Sequence, residues 1–167
     1  SYSMPITRII VEGPDCSGKS TLVQKLKNEL HWDAKSLHHK PKNQFSRYLK
    51  EYAFNENVIF ERAHFSEEVY STLWRAPPFT KQEKQILDEI CRLETIIILA
   101  CPDLEALKRR YIKRNYSQQI KLNELGKTRD LFIHILKDTP HILYTSKDSK
   151  ELTNLIRKLC NSNEYNL

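Results

Sequence analysis

The stretch "IIVEGPDCSGKSTLVQKL", Ile9 to Leu26, decides the fold. An apolar run from Ile6 to Val11 reads as a buried strand. A turn bounded by Gly13 and Gly18 follows, and then Leu22, Val23, Leu26 and Leu30 recur at helical spacing. The chain has only three glycines, and two of them stand in this turn beside Lys19, Ser20 and Thr21. Gly13-Pro-Asp-Cys-Ser-Gly18-Lys19-Ser20 fits the pattern G-x-x-x-x-G-K-[ST], a P-loop, with a strand before it and a helix after it as that motif requires. Glycine admits backbone conformations that a Cβ forbids and lets a phosphate approach the main chain. The turn and the start of the helix then aim their unpaired N–H groups into one concavity.

The residue types around the turn suit a triphosphate. The expected donor contacts are Gly13, Asp15, Cys16, Ser17, Gly18, Lys19, Ser20 and Thr21. Lys19 supplies a mobile cation for the outer phosphates, Ser20 a hydroxyl for Mg²⁺, and Thr21 supports the helix start. ATP and Mg²⁺ are the ligands this implies.

Outward from the turn, strands alternate with helices. Ala34–His39, Asn57–Glu61, Thr95–Ala100 and His141–Thr145 read as further strands. Helical patterns run over Lys42–Phe54, from Ser66 to the stop at Pro77 and Pro78, after a Thr80-x-x-Glu83 capping box, from Asp103 to about Arg114, and through Leu152, Leu155, Ile156 and Leu159. Ser117 to Asp130 is polar. That order predicts an α/β fold: a doubly wound, mainly five-stranded parallel sheet. A single domain over 1–167 follows from the length and the lack of a linker.

Composition narrows the setting. The 167 residues are 40% hydrophobic, and no apolar run approaches the roughly 18–20 residues of a membrane span. Cys16, Cys91, Cys101 and Cys160 are scattered without zinc spacing and read as reduced thiols of a cytoplasmic protein. The net charge of +6 favours anionic ligands, nucleotides among them, but does not by itself establish nucleic-acid binding. The oligomeric state is left open, a homodimer included.

A second signal is "VIFERAHFSEEVYSTLWR", Val58 to Arg75. It puts Glu61 and Arg62 at the carboxyl end of a strand, the edge that faces the ligand crevice in a doubly wound sheet. Glu61 can hold Mg²⁺ through water or accept a proton; Arg62 can clamp an acceptor. A surface ion pair is the competing reading. Together "EGPDCSGKST" and "VIFERAHFSEEVY" resemble the P-loop and the Asp-Arg-x-x-x-Ser segment of thymidylate kinases, and the Glu-Arg pair is similar to the Glu-Arg-Ser segment of deoxynucleoside kinases. The resemblance implies a sheet of the P-loop kinase type with an arginine-bearing lid around 114–130, and a kinase in which Asp15 faces the acceptor's sugar or phosphate, Arg62 contacts its phosphate, and Ser66, Tyr70 and Arg75 line its pocket. Glu61 stands where thymidylate kinases have aspartate.

The P-loop position held by an arginine in some of those enzymes is Cys16 here. "LKRRYIKRN" before the polar segment offers lid arginines instead. Arg110 and Arg114 share one helix side, Arg109 and Lys113 the next, and a solvated helix face is the alternative. The first pair is favoured to neutralise the moving phosphoryl group, with Lys19, Glu61 and Arg62 completing the catalytic set. One departure stands out. The region between the second and third strands is short, and "LHHKPKN" replaces the family's Arg-Glu-Pro segment. His38, His39 and His64 border that cleft or are ordinary histidines; Phe45, Arg47 and Tyr48 grip an acceptor or pack in the core.

The leading expectation is therefore a nucleoside monophosphate kinase of thymidylate type, acting on a small-molecule nucleotide acceptor. The alternatives are phosphorylation of a nucleoside or nucleic-acid hydroxyl, or a nucleotide-binding module without catalysis. No Asn-Lys-x-Asp for guanine reading by a GTPase is present.

Overall fold

A computed structural model describes residues 4–114 and 121–161. Its elements are β1 (Arg8–Glu12), α1 (Lys19–Leu30), β2 (Asp33–Ser36), α2 (Gln44–Phe54), β3 (Val58–Glu61), α3 (His64–Trp74), α4 (Lys81–Ile90), β4 (Thr95–Ala100), α5 (Leu104–Arg114), a 3₁₀ turn (Leu122–Glu124), α6 (Leu125–Leu136), β5 (Ile142–Tyr144) and α7 (Ser149–Asn161). The strands form one sheet in the order β2-β3-β1-β4-β5, with every pairing parallel. The fold class is the one expected.

Side-chain alternation on the central strands sorts the core into two layers. Ile9 and Val11 of β1, Ile59 of β3 and Ile98 of β4 pack with Leu22, Leu26, Leu152 and Ile156 from α1 and α7. Ile10, Phe60, Ile97 and Leu99 point the other way, onto Tyr48, Tyr52, Phe65, Val69, Leu87, Phe132 and Leu136. β1 is buried along its whole length because it lies between β3 and β4 with helices on both faces, which is why it reads as a continuous apolar run. The sheet order reverses direction at β1, so the crevice for a ligand opens at the carboxyl ends of β1, β3 and β4.

Two local differences from the sequence reading have physical causes. The third helix starts at His64, not Ser66, and Ala63 at its N-cap makes no side-chain cap. The cap comes from across the sheet: the Glu12 carboxylate accepts the Ala63 and Ser66 N–H groups at 3.1 and 2.9 Å and the Ser66 hydroxyl at 2.5 Å. The second difference is α6. Gly126, Lys127, Arg129 and Asp130 give its first turns a loop-like composition, yet Leu125, Thr128, Phe132 and Leu136 form a buried stripe against the core. Residues 121–130 of the expected lid are thus the 3₁₀ turn and the start of this helix, while residues 115–120 lie outside the described residues.

Two smaller expectations match. Thr80 and Glu83 form a reciprocal capping box on α4. Asp103 accepts the Ala106 N–H ahead of α5. Among the described residues, no helix is long and apolar enough to cross a membrane.

Candidate active site

The loop between β1 and α1 has a backbone that few residues allow. Gly13 has φ of 149°, and a Cβ there would lie 2.2 Å from the Ala100 carbonyl oxygen. Gly18 has φ of 90° and opens α1 without a side-chain cap, leaving the helix's first N–H groups directed outward. Cys16 also adopts a left-handed φ, 67°, and is buried. The Lys19 ammonium folds back into the loop and donates to the carbonyls of Gly13 and Pro14, both at 2.8 Å. Burial, with Arg62 nearby, lowers its pKa to about 7.

Ser20 and Glu61 meet beside the loop. The Ser20 hydroxyl donates to the Glu61 carboxylate at 2.6 Å, and Glu61 is in register with Val11 at the end of β3. A hydroxyl and a carboxylate at this distance offer the hard oxygen donors that Mg²⁺ takes, so the residues present fit that ion. The loop likewise fits a polyphosphate, because Gly18 opens α1 with no side chain capping the helix's first N–H groups.

Arg62 is the hub of the next layer. It holds a left-handed φ of 68°, a strained state for a side chain of this size. Its guanidinium donates to Asp15 at 2.5 Å, to the Tyr70 hydroxyl at 3.1 Å and to Ser66 at 3.3 Å, and it lies 5.3 Å from the Tyr70 ring centre. Asp15, Arg62, Ser66 and Tyr70 are therefore one cluster. Arg75, the fifth residue of the expected acceptor set, stands apart and donates to Glu67 at 3.5 Å. All five line a cavity of about 330 Å³ with Leu37, His38, His39, Glu67 and Trp74.

A second cavity, of about 460 Å³, adjoins the loop from α5 and β5, and Arg109, Arg110, Arg129, Ser146 and Lys147 are in its wall. Arg110 donates to the Cys16 carbonyl at 3.1 Å, and Ser146 donates to the Ser17 carbonyl at 3.0 Å. Arg110 thus touches the P-loop directly. Arg114 is at the exposed end of α5, a full turn further on.

Several residues lie where the sequence did not place them. Of the three histidines, His38 and His39 line the first cavity, whereas His64 is fully buried between the Tyr52 hydroxyl at 2.7 Å and Asp88 at 2.8 Å. Its neighbours Glu68 and Asp88 are both bonded to the Lys84 ammonium, which closes that cluster. Tyr48 is core, and Arg47 lies over its ring. Glu12 and Glu67 were missed. Both are almost wholly buried carboxylates, and burial pushes Glu12 up to about 7 against the opposing pull of Ser66 and Arg62. The one signal for Glu12 was an acid continuing an apolar strand; for Glu67 there was none.

No family model matches the sequence. The chain is 24% identical over 143 residues to YorR, a prophage-derived protein of Bacillus subtilis, covering 80% of this chain and 84% of that one. The crystal structure of YorR in complex with phosphorylated GDP superposes with a TM-score of 0.81 at 23% identity over 95% of this chain and 98% of the other. Deoxyadenosine kinase from M. mycoides with dCMP and dCDP gives 0.62 at 16% identity, over 93% and 98%. Thymidylate kinase from Candida albicans gives 0.58 at 17%, over 98% and 94%. These likenesses establish a fold shared with nucleoside and nucleotide kinases.

Proposed function

We propose that this chain is a phosphotransferase that moves the γ-phosphoryl group of Mg²⁺-bound ATP onto a nucleoside monophosphate. The observation that carries this reading is that the P-loop is flanked on two sides: its Asp15 lines one cavity with the Arg62 cluster, and Arg110 and Ser146, which donate to its Cys16 and Ser17 carbonyls, line another, while Ser20 and Glu61 meet beside the loop. Its structural neighbours include deoxyadenosine and thymidylate kinases, and YorR is described in complex with phosphorylated GDP, so the test includes GTP as donor.

In this reading the Gly13–Ser20 backbone and Lys19 hold the donor's phosphates. Ser20 and Glu61 hold Mg²⁺, which when bound neutralises charge on the phosphate oxygens. Arg62 orients the acceptor oxygen, with Asp15, Ser66 and Tyr70 fixing the guanidinium. Arg110, already on the loop carbonyl of Cys16, is placed to shift onto the transferring group, and Arg114 joins from the lid side. The bond from the γ-phosphorus to its bridging oxygen breaks as the acceptor oxygen bonds to that phosphorus. The whole chain acts as one unit, with the segment around 114–130 as its lid.

A nucleoside hydroxyl is the second reading. The charge of Arg62 is already matched by Asp15, so a neutral acceptor enters without adding an anion beside that carboxylate. The decisive experiment is a panel of nucleosides and nucleoside monophosphates with Mg²⁺ and ATP or GTP, with products separated by chromatography. Diphosphates formed from monophosphates support the first reading, monophosphates formed from nucleosides the second. A panel without any phosphorylated product overturns both.

A further inference from the structure

The cavity that holds Asp15 and Arg62 at one end has a different chemistry at the other. Glu67 is 3% exposed there. A carboxylate has about four lone-pair sites for hydrogen bonds. His39 Nδ1 lies 2.9 and 3.0 Å from the two Glu67 oxygens, so a single N–H is shared between them. The Tyr48 hydroxyl and the Arg75 guanidinium stand off at 3.4 and 3.5 Å. A buried carboxylate with unfilled capacity costs free energy until an N–H donor reaches it.

The walls suit a flat ring. Tyr70 and Trp74 both line the cavity, with ring centres 5.5 Å apart and planes within 16°. The cavity's volume of about 330 Å³ is that of a nucleoside-sized guest.

Resting on the kinase reading above, we propose that Glu67, with Arg75 beside it, reads the base of the acceptor and takes an amino-bearing base (cytosine, adenine or guanine) in preference to thymine or uracil. The amino group of each of the three gives the carboxylate a donor, and a neighbouring ring nitrogen or carbonyl gives Arg75 an acceptor. Thymine and uracil have one ring N–H set between two carbonyl oxygens. A carboxylate that approaches it meets oxygen on both sides. This reverses the base expected from the thymidylate-kinase resemblance.

The test compares cytosine, adenine, guanine, thymine and uracil versions of one acceptor, nucleoside or monophosphate, by kcat/KM in wild type and Glu67→Gln. Wild type prefers the best amino-bearing base over thymine about tenfold or more. Glu67→Gln offers a donor and an acceptor together, so it narrows that ratio about tenfold, through acceptor KM and with donor KM unchanged. Wild type that favours thymine or uracil, or ranks all five alike, overturns the proposal with no variant needed, as does a Glu67→Gln variant that slows every base equally while melting like wild type. Calorimetry with the free nucleosides separates the two layers of inference. If no acceptor turns over but cytosine, adenine or guanine nucleosides bind tighter than thymidine and uridine, the kinase reading fails and the base preference stands.

Discussion

The two halves of the candidate site are built in opposite ways. The donor half is nine consecutive residues, 13–21, and its shape is a property of the main chain: Gly13 clears the Ala100 carbonyl, Gly18 bends into the helix, and no side chain caps the first N–H groups of α1. The acceptor half is assembled from the P-loop, the segment after β2, the end of β3 and α3, and its chemistry is entirely side-chain. A backbone site tolerates surface change but not a Cβ at the wrong glycine. A side-chain site depends on what lies beneath it, here the buried carboxylates Glu12 and Glu67. The largest expected effect falls on the donor half. Lys19→Ala should lower turnover by about 10²–10³-fold, the scale of removing one preorganised stabilising group. Its unfolding midpoint should stay close to wild type, because the lost contacts, to the Gly13 and Pro14 carbonyls and the Ser17 hydroxyl, all lie within the loop. Turnover within a few-fold of wild type would remove Lys19 from the mechanism and leave the P-loop as a passive turn.

The next effect is in the support that joins the halves. Glu12 ends the central strand and holds the start of α3, so it fixes where Arg62 and Ser66 stand. Burial raises its carboxyl from 4.5 to about 7. A carboxyl raised on folding stabilises the protein fully below the unfolded value, and that contribution is lost as pH rises through the folded value. From below about pH 4.5 to above about pH 7 the loss amounts to about 3–4 kcal/mol at 1.36 kcal/mol per pKa unit. Glu68, also raised to about 7 by burial, adds a loss of the same sign, while His64, lowered by burial, stabilises in the opposite direction. Urea unfolding of wild type and Glu12→Gln at pH 5 and pH 8 isolates the Glu12 part. The wild-type advantage should shrink from the lower pH to the higher. An advantage that is equal at both would mean that Glu12 is ionised throughout, as its two N–H partners favour.

The same contrast governs what could be read in advance. The P-loop and the Thr80 cap were legible because each is set by residues close in sequence with one backbone outcome, and the parallel sheet because strands and helices alternate along the chain. Glu61 and Arg62 were legible because strand ends in this topology face the crevice. Glu67 was not, since both acids in "SEE" are buried and nothing in the sequence tells that Glu67 faces the cavity while Glu68 pairs with Lys84; that depends on His39 and Tyr48 arriving from other elements. α6 was hidden for a related reason. Its polar first turn is solvated on one side, and only contact with α3 and α5 shows that the other side is buried.

Arg62→Lys sharpens the comparison at the junction. A lysine keeps the charge but loses the planar fork that reaches Asp15, Ser66 and Tyr70 together. Acceptor KM should rise about tenfold, equivalent to about 1.4 kcal/mol, while donor KM holds. Equal losses on both substrates would mean that Arg62 braces the P-loop through Asp15 and does not read the acceptor.

The smallest effect should come from Thr80→Ala, which touches neither half. Thr80 accepts the Glu83 N–H at 3.1 Å, and Glu83 returns a bond to the Thr80 N–H at 2.9 Å. Alanine removes the hydroxyl and exposes one helix-end N–H, at a cost of about 1 kcal/mol. In a domain of this size that lowers the melting temperature by roughly 2–5 °C. α4 packs on α2, which carries Gln44 and the Tyr48 hydroxyl beneath Glu67. If α4 is only scaffold, all kinetic constants stay at wild-type values in Thr80→Ala. A selective rise in acceptor KM, with the melting temperature down by the expected few degrees, would show that the acceptor half draws its geometry from packing this far away, whereas the donor half does not.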